Sequence, residues 1–369
     1  MNIFSHLFRW FHQLDLILMS GLVLILFLGS VTLYSASGES YDMVTRQGIH
    51  ILLATIIMLL LSQVKSKTMQ SWTIWVYGLG VLLLVLVMVQ GHIGMGARRW
   101  LDLGLFRFQP SEIMKLAGPM MVARYFADKP LPPSFKDIIV ALIIIMLPVL
   151  LIVKQPDLGT SLLVASAGLF VIYFAGLSWK LIIATLSAIP IGGYFLFHYG
   201  MHPYQQQRVL TLFDPEANRL GAGYHIIQSK IAIGSGGIYG KGWTEGDQSR
   251  LDFLPERHTD FIFSVFGEEF GLLGNIILLS LYIFIIWRSL YLATKGKDTF
   301  SRLLGGSLAL TFFVYLFVNT GMVSGILPVV GVPLPLVSYG GTSIVTLMAA
   351  FGIIMGLQKR KRNYRHINQ

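Results

Sequence analysis

The sequence predicts an all-α polytopic membrane protein with about ten transmembrane helices and one large external loop. Apolar residues make up 54% of the 369 residues and charged residues only 12%, which is about half the charged share of a soluble domain. The mean hydropathy is +0.67. Because each span needs about 20 residues, ten spans fit only if most loops are short. We therefore expect a single integral membrane domain over residues 1–369.

Ten apolar segments are candidates for these spans. The first, Leu14–Tyr34, is too long for the apolar region of a signal peptide and lacks a small-residue cleavage site, so we interpret it as a retained helix. The fourth is the weakest candidate, because Glu112 and Lys115 interrupt it and neither suits lipid. The predicted spans lie near residues 15–35, 48–64, 72–90, 111–126, 137–153, 159–176, 180–199, 259–287, 303–324 and 338–357.

The distribution of basic residues orients the predicted bundle. The tail Lys359–Arg362 and most basic residues of the loops fall on the side that holds both termini. By the positive-inside rule that side is cytoplasmic, so residues 200–258 form an extracytoplasmic loop between the seventh and eighth spans. The net charge of +10 requires no nucleic acid, because a basic face against anionic lipid is a sufficient reason for it.

Two classes of protein are disfavoured by what the sequence lacks. There are no cysteines, so disulfides and thiol chemistry do not contribute. The two halves show no convincing repeat, and an inverted-repeat transporter is therefore not supported.

Three arginines and a tryptophan form the first external cluster, within residues 96–112. Arg98, Arg99 and Arg107 fall within ten residues of one another, beside Trp100. A guanidinium group can donate two hydrogen bonds to a phosphate, and tryptophan prefers the membrane interface. The cluster is predicted to bind a pyrophosphate or a lipid headgroup. The alternative is an interfacial hairpin anchored by its aromatic and arginine side chains.

Two further external clusters have structural interpretations. Asp157 directly precedes a predicted span, so it either caps that helix or supports a site. The Gly-rich stretch 221–242 ends in Gly240-Lys241-Gly242, which does not match the phosphate loop of nucleotide-binding proteins, because no Ser or Thr follows the lysine. Its glycines instead permit tight turns and close approach of the backbone.

A carboxylate lies at a predicted water–lipid boundary in the fourth cluster. Glu256, Arg257 and His258 precede Asp260, just as the eighth apolar segment begins. A charge pulled into hydrocarbon costs about 2.5 to 3.5 kcal/mol, and this group has more charge than a helix cap requires. We therefore predict a functional site here. Glu268–Glu269 follows about two turns later, and pairing with Lys115 or an arginine would make these carboxylates structural instead.

A proline-rich apolar stretch, residues 325–343, is the fifth motif on this face. Pro328, Pro333 and Pro335 interrupt it. Backbone without helical hydrogen bonds is tolerated at membrane depth only where it is buried in protein or lines a wet cavity. The stretch is therefore predicted to lie inside the bundle rather than in a plain connecting loop.

Taken together, these motifs resemble one family. The resemblance covers essentially the whole chain and is closest to the rod-shape branch of the SEDS proteins, those of shape, elongation, division and sporulation. The motifs that carry it are Tyr34–Gly38, Arg98–Leu101, Gln109–Glu112, Gln155–Thr160, Gly221–Lys230, Leu254–Asp260 and Ser338–Gly341.

The resemblance implies a peptidoglycan glycosyltransferase of the bacterial cytoplasmic (inner) membrane. Such a protein polymerises lipid II outside the cell, together with a class B penicillin-binding protein and other elongation-complex proteins. Both termini would be cytoplasmic and the active site extracytoplasmic. In that family an aspartate in the position of Asp260 is the proposed catalytic residue, and a tryptophan in the position of Trp100 is also implicated.

The residues are consistent with that chemistry. Forming a β-1,4 bond from an α-linked donor inverts the anomeric carbon, so one displacement and a single base are sufficient. Asp260 is predicted to be that base, and cations or a divalent ion such as Mg²⁺ or Mn²⁺ would stabilise the leaving pyrophosphate. Metal ligands stay unknown. The predicted substrate-binding residues are Trp100, Arg98, Arg99, Arg107 and Lys115, and the predicted supporting residues are Glu112, Asp157, Glu256, Arg257 and His258.

Two alternatives remain open from the sequence. A flippase or transporter for the same lipid would use the intramembrane charges as a polar path. A non-catalytic scaffold would only position the penicillin-binding protein.

Overall fold

The computed structural model describes residues 14–94, 97–102, 107–218, 222–251 and 253–358, and their structure is a bundle of membrane helices. A helix is found at each of the ten predicted spans, which confirms the predicted fold class. In chain order the elements are α1 (Leu16–Ala36), α2 (Tyr41–Ser62), α3 (Ser66–Gln90), β1 (His92–Gly94), β2 (Ala97–Asp102), β3 (Arg107–Phe108), α4 (Pro110–Ala127), α5 (Phe135–Lys154), α6 (Leu158–Phe174), α7 (Trp179–Phe195), α8 (Pro203–Phe213), α9 (Ala222–Ser235), α10 (Asp247–Arg250), α11 (Ile262–Thr294), α12 (Thr299–Val323) and α13 (Gly341–Gly356).

Length and composition alone qualify six of the described helices as membrane spans: α1, α2, α3, α5, α11 and α12. Helices α6 and α13 are apolar but shorter. Helix α4 carries Glu112, Lys115 and Arg124, and its charged residues at positions 112 and 115 are buried against protein rather than lipid. The fourth span is therefore present although its composition made it the weakest candidate.

Helix α12 forms the centre of the bundle. It is the most buried of the long apolar helices, and it packs against α4, α6, α11 and α13. Helix α13 packs against α2, where Gly352 allows the backbone of Met58 to approach closely. Helix α7 contrasts with these, because the side chains described along it are exposed or only half-buried.

One end of the bundle holds the end of α1, the start of α11, helix α8, the strands β1 to β3 and the proline-rich stretch. We call it the outer face, because the sequence predicts that this end is extracytoplasmic. The chain around the arginine cluster forms a three-stranded antiparallel sheet in the order β1-β2-β3, and we call these three strands the hairpin. At the opposite end, Asp15 pairs with Arg288 at 2.6 Å. There Asp298 also caps α12 by accepting from the N–H of Ser301 at 2.8 Å and from the hydroxyl of Ser66 at 2.9 Å.

Helix α11 is interrupted near its outer end, and the loop 237–242, which comes earlier in the chain, packs into the break. Gly271 has φ 64° and ψ −160°, which are not helical. Two amides of the loop 237–242 donate to the carbonyl groups of Glu268 and Glu269, at 3.0 and 3.1 Å, and two helix amides after Gly271 donate back to loop carbonyls at 2.9 and 3.1 Å. The loop therefore satisfies backbone groups that the break would otherwise leave unpaired.

We expect Gly240→Ala to destabilise the protein more than Gly237→Ala. Both residues have positive φ, 82° and 54°, so each alanine carries left-handed strain of about 1–2 kcal/mol. Only at Gly240 would the new Cβ also clash with backbone, at the carbonyl oxygen of Glu269. Thermal unfolding of both variants in one detergent measures the difference. Equal melting temperatures would show that the loop does not dock in the helix break.

Candidate active site

Asp260 lies in a turn whose backbone is fixed from the interior of the bundle. The carbonyl groups of residues 258, 259 and 260 accept hydrogen bonds, in that order, from the backbone N–H of Tyr339 at 2.9 Å, the hydroxyl of Ser338 at 2.5 Å and the side-chain amide of Asn319 at 2.9 Å. These donors come from α12 and from the chain just before α13. The position of Asp260 is therefore set by elements that are distant in sequence.

We call the non-helical part of the proline-rich stretch, residues 325–340, the proline-rich segment. Residues 334–338 of this segment are buried inside the protein, as the sequence predicted, whereas Ile326 and Gly331 in its first half are exposed. The carbonyl group of Pro335 accepts from the buried hydroxyl of Tyr282 at 2.6 Å, and Gln47 donates to the carbonyl of Ser338 at 3.1 Å. Gly29 of α1 has no side chain at the point where the carbonyl of Leu336 approaches. Side chains and a glycine contact thus support the non-helical backbone at membrane depth.

The surroundings of Asp260 weaken it as an acid. Burial is the largest cause, the charge of Glu256 is the second, and together they raise the pKa of Asp260 to about 6 although Arg208 acts in the opposite direction. The carboxylate faces Gly331, where a side chain would meet its Oδ2 at 3.4 Å. A carboxyl group with this pKa is mostly ionised at neutral pH and is a stronger base than an exposed aspartate.

Two residues that the sequence analysis did not select, Arg208 and His225, lie near the turn that holds Asp260. Arg208 of α8 donates to the carbonyl of Val329 at 3.0 Å. His225 of α9 stacks on Phe261, with ring centroids 5.6 Å apart and an angle of 19°. Burial, and then Arg208, lower the pKa of His225, while Glu256 raises it. The polarity of the long external segment was the available signal, but nothing in it singled out these two side chains.

The hairpin reaches the same region through Arg99. Its Nη2 donates to the carbonyl of Pro156 at 2.6 Å, and its Nε lies 3.6 Å from the carboxylate of Asp157, an ion pair too long for a hydrogen bond. The hydroxyl of Tyr204 donates to the same Pro156 carbonyl at 3.0 Å, and Arg208 lies over the Tyr204 ring at 5.7 Å. A continuous set of contacts therefore links the arginine cluster to the residues around Asp260.

The other members of the arginine cluster are only partly placed. Trp100 is half-buried on β2 next to Arg99. Arg98 and Arg107 belong to β2 and β3, and their side chains lie outside the described residues. Substrate binding by these three stays a prediction.

Asp157 caps a helix, one of the two roles that the sequence left open, and its support of a site stays a prediction. Its carboxylate accepts from the N–H of Thr160 at 3.1 Å and so caps α6. It also accepts from the side-chain amide of Gln109 at 3.2 Å and faces Arg99. One side chain therefore connects the start of α6 with the hairpin and with the start of α4.

Lys115 and Glu112 form a buried ion pair below the hairpin. The lysine Nζ lies 2.7 Å from a carboxylate oxygen of Glu112, both side chains are more than nine-tenths buried, and Nζ also lies 5.2 Å from the centre of the Tyr315 ring. A cation balanced in this way has little remaining attraction for a second anion. Its predicted contact with substrate stays a prediction.

The three residues before Thr259 shape the turn that holds Asp260, residues 256–261, in different ways. We call it the catalytic turn after the predicted role of Asp260. Glu256 is exposed, adopts φ 53°, and accepts from the hydroxyl of Thr259 at 2.7 Å. Arg257 donates from Nε to the carbonyl of Ala36 at 2.7 Å. The His258 ring lies 6.3 Å from the Tyr339 ring. Arg257 thus anchors the turn to α1, and Glu256 contributes charge.

The glutamates further along α11 are structural. Glu268 is fully buried and pairs with Lys241 at 2.7 Å, and Glu269 accepts from the hydroxyl of Ser35. The partner cation is Lys241, from the loop that packs into the break of α11, and not Lys115 of α4. This pair holds the loop and helix together.

Within the described ranges, no group of three or more His, Asp or Glu side chains could hold a metal ion. We therefore assign no protein ligands to the divalent cation considered from the sequence.

Comparisons with known proteins agree with this arrangement. The FtsW/RodA/SpoVE family of cell cycle proteins matches residues 8–363. Peptidoglycan glycosyltransferase MrdB of Escherichia coli (strain K12) is 52% identical over 354 residues, which cover 95% of each chain. A chain from a peptidoglycan synthase complex studied for the coordination of polymerization and crosslinking superposes with a TM-score of 0.81 at 30% identity, covering 93% of this chain and 96% of that one. Rod shape determining protein RodA of Thermus thermophilus gives 0.70 at 29%, covering 92% and 95%.

We expect Ser338→Ala to destabilise the protein by about 1–3 kcal/mol, the usual cost of leaving buried polar groups unpaired. The Ser338 hydroxyl donates to the carbonyl of Thr259 and accepts from the N–H of Leu334 at 2.8 Å, so both partners lose their bond. Ser20→Ala is the control, because that exposed hydroxyl bonds only within its own helix. Thermal unfolding of the two variants measures the effect. A loss no larger than that of the control would contradict the proposed support of the turn.

Proposed function

We propose that this protein polymerises lipid II at the outer face, with Asp260 as the general base. The premise is that the chain belongs to the FtsW/RodA/SpoVE family and is a peptidoglycan glycosyltransferase similar to RodA. The observation that carries this proposal is the state of Asp260. It is a partly buried carboxylate with a pKa raised to about 6, in a turn whose carbonyl groups are held by three hydrogen bonds.

The reaction needs one base and a stabilised leaving group. The 4-hydroxyl oxygen of the acceptor sugar attacks the anomeric carbon of the donor, and the bond from that carbon to the phosphate oxygen breaks. Its electron pair stays on the undecaprenyl pyrophosphate. The hydroxyl proton passes to Asp260 and from there to water, so the carboxylate is regenerated for the next addition. Inversion at the anomeric carbon follows from the single displacement, and no enzyme nucleophile is required.

The fold suits a substrate that is part lipid and part sugar. The apolar helices give the polyprenyl tail a place in the bilayer, while the hairpin, α8, α9 and the catalytic turn form a polar region at one end of the bundle. Asp260 precedes the first residue of α11, Ile262, and so lies at the boundary between these environments. The carboxylate can therefore meet the sugar without the tail leaving the membrane.

The membrane orientation and the partner are part of the same proposal. The basic tail Lys359–Arg362 and the acidic outer loop support cytoplasmic termini and an extracytoplasmic site in the inner membrane, by the positive-inside rule. The likeness to a chain of a peptidoglycan synthase complex supports a class B penicillin-binding protein as the partner.

We expect Asp260→Asn to lower the rate of glycan polymerisation by about 10²- to 10⁴-fold, the usual contribution of a general base. Purified protein and lipid II, assayed with and without the partner, give the measurement. Asp214→Asn is the matched control, because Asp214 is an exposed aspartate of the same external segment. Lipid II binding should persist in Asp260→Asn. Normal polymer from this variant would show that Asp260 is not the base.

The rate of polymerisation should fall as the pH drops through about 6, because protonation removes the base. The charge of Glu256 raises the pKa of Asp260, so Glu256→Gln should move this acidic limb to lower pH. Glu245→Gln, at an exposed glutamate that faces Arg250, should leave the limb in place. The pH dependence of kcat/KM for the three proteins tests this. A limb that moves to higher pH in Glu256→Gln would contradict the assignment.

A further inference from the structure

The leaving pyrophosphate needs positive charge, and two of the cations predicted to supply it are already paired. Arg99 faces Asp157 and donates to a backbone carbonyl. Lys115 lies 2.7 Å from Glu112 inside the bundle. In each case a carboxylate balances the cation, which reduces the potential available to a ligand. A cation near Asp260 that is not paired with a carboxylate would therefore add to the positive charge available for the pyrophosphate.

Arg208 is a cation that can provide positive charge to the leaving pyrophosphate. Its Nη1 donates to a neutral acceptor, the carbonyl of Val329, and its guanidinium lies over the ring of Tyr204. None of the ion pairs formed among the described residues includes Arg208. A guanidinium has five N–H donors, so several are available beyond the one bound to Val329. Val329 is two residues before Gly331, which the Asp260 carboxylate faces, so this hydrogen bond holds Arg208 near the carboxylate. The same nearness lowers the pKa of Asp260.

His225 contributes a second, uncharged donor. Its Nδ1 is buried and has no hydrogen-bond partner among the described residues. An N–H buried without an acceptor is rarer and more costly than a buried lone pair, so we assign the proton to Nε2. The stack on Phe261, the residue after Asp260, fixes the plane of the ring. His225 thus offers one N–H close to the catalytic turn.

We propose that Arg208, with His225 as a neutral second donor, holds the pyrophosphate of the lipid-linked donor and stabilises the charge it gains on leaving. This inference rests on the proposed function, because it assumes that the displacement occurs at Asp260. As the carbon–oxygen bond breaks, the electron pair moves onto the phosphate oxygen. Arg208 then donates charge-assisted hydrogen bonds that strengthen as the negative charge grows.

A purely structural role for Arg208 makes different predictions. Its contacts with Val329 and Tyr204 join α8 to the proline-rich segment, so its loss could simply loosen the outer face. In that case Arg208→Gln would weaken every ligand of the site and lower the melting temperature. The pyrophosphate subsite instead predicts a loss that depends on the phosphate groups of the ligand.

The test is equilibrium binding of undecaprenyl pyrophosphate and of undecaprenol to full-length protein in detergent. Arg208→Gln should weaken pyrophosphate binding about ten- to hundredfold and leave undecaprenol binding unchanged. Arg208→Lys should fall between wild type and Arg208→Gln, because it keeps the charge but loses the planar fork. Arg250→Gln, at an exposed arginine of the same external segment, should bind both ligands as wild type does.

His225 is tested with two variants that separate stacking from hydrogen bonding. His225→Phe keeps an aromatic stack on Phe261 but loses the donor, and should weaken pyrophosphate binding about three- to tenfold. His225→Gln keeps a donor and should bind more tightly than His225→Phe. The reverse order would show that His225 acts by packing alone and would remove it from the subsite.

The outcomes separate this inference from the proposed function. Wild-type pyrophosphate affinity in Arg208→Gln, or an equal loss for undecaprenol, overturns the subsite whatever the fate of Asp260. Asp260→Asn should bind the pyrophosphate at least as tightly as wild type, because it removes a negative charge near Arg208. Should Asp260→Asn polymerise normally while Arg208→Gln fails to bind the pyrophosphate, the base assignment is wrong and the subsite stands.

Discussion

The hydrogen bonds to three successive carbonyl groups, at residues 258, 259 and 260, are the interaction on which the rest of the site depends. Tyr339, Ser338 and Asn319 provide the donors. A turn at the edge of a membrane bundle has little water to satisfy its backbone, so these groups need protein partners. Meeting that need brings α12 and the proline-rich segment against the start of α11. The same contacts hold the Asp260 carboxylate where burial can raise its pKa.

Charge pairing shows which ionic groups are structural. In an apolar bundle an unpaired charge is costly, and accordingly Glu112 with Lys115 and Glu268 with Lys241 are paired at 2.7 Å. Asp260 differs from them, because no described cation lies within salt-bridge distance of it and its pKa is raised. A carboxylate held in this way is unfavourable for stability alone and is suited to accepting a proton.

The loop 237–242 packs into the break in α11 and so connects to the turn that holds Asp260. Asp260 lies two residues before Ile262, the first residue of the short outer part of α11, which runs to Gly271. The loop 237–242 makes the backbone hydrogen bonds that this part of the helix lacks at the break. Lys241 adds a charge contact to the buried Glu268. The loop and the turn are therefore parts of one hydrogen-bonded unit, which explains why a long polar segment is present in so apolar a chain.

The sequence by itself determined the fold class, the ten helical spans and the interior position of part of the proline-rich segment, because hydropathy and helix-breaking residues act locally along the chain. Its charge pattern indicated a site at Glu256–Asp260, and the family resemblance made Asp260 the candidate base. Only the tertiary structure decided which charges are paired. It showed that Lys115 is balanced by Glu112 and that Glu268 has Lys241 as its partner. It also placed Arg208 near Asp260 and His225 against the next residue, Phe261. The physical reason is distance. The interaction of two charges depends on their separation in space and on their burial. Arg208 and Asp260 are about 50 residues apart in the chain, and they become neighbours only after α8, α9 and the turn that holds Asp260 have packed together.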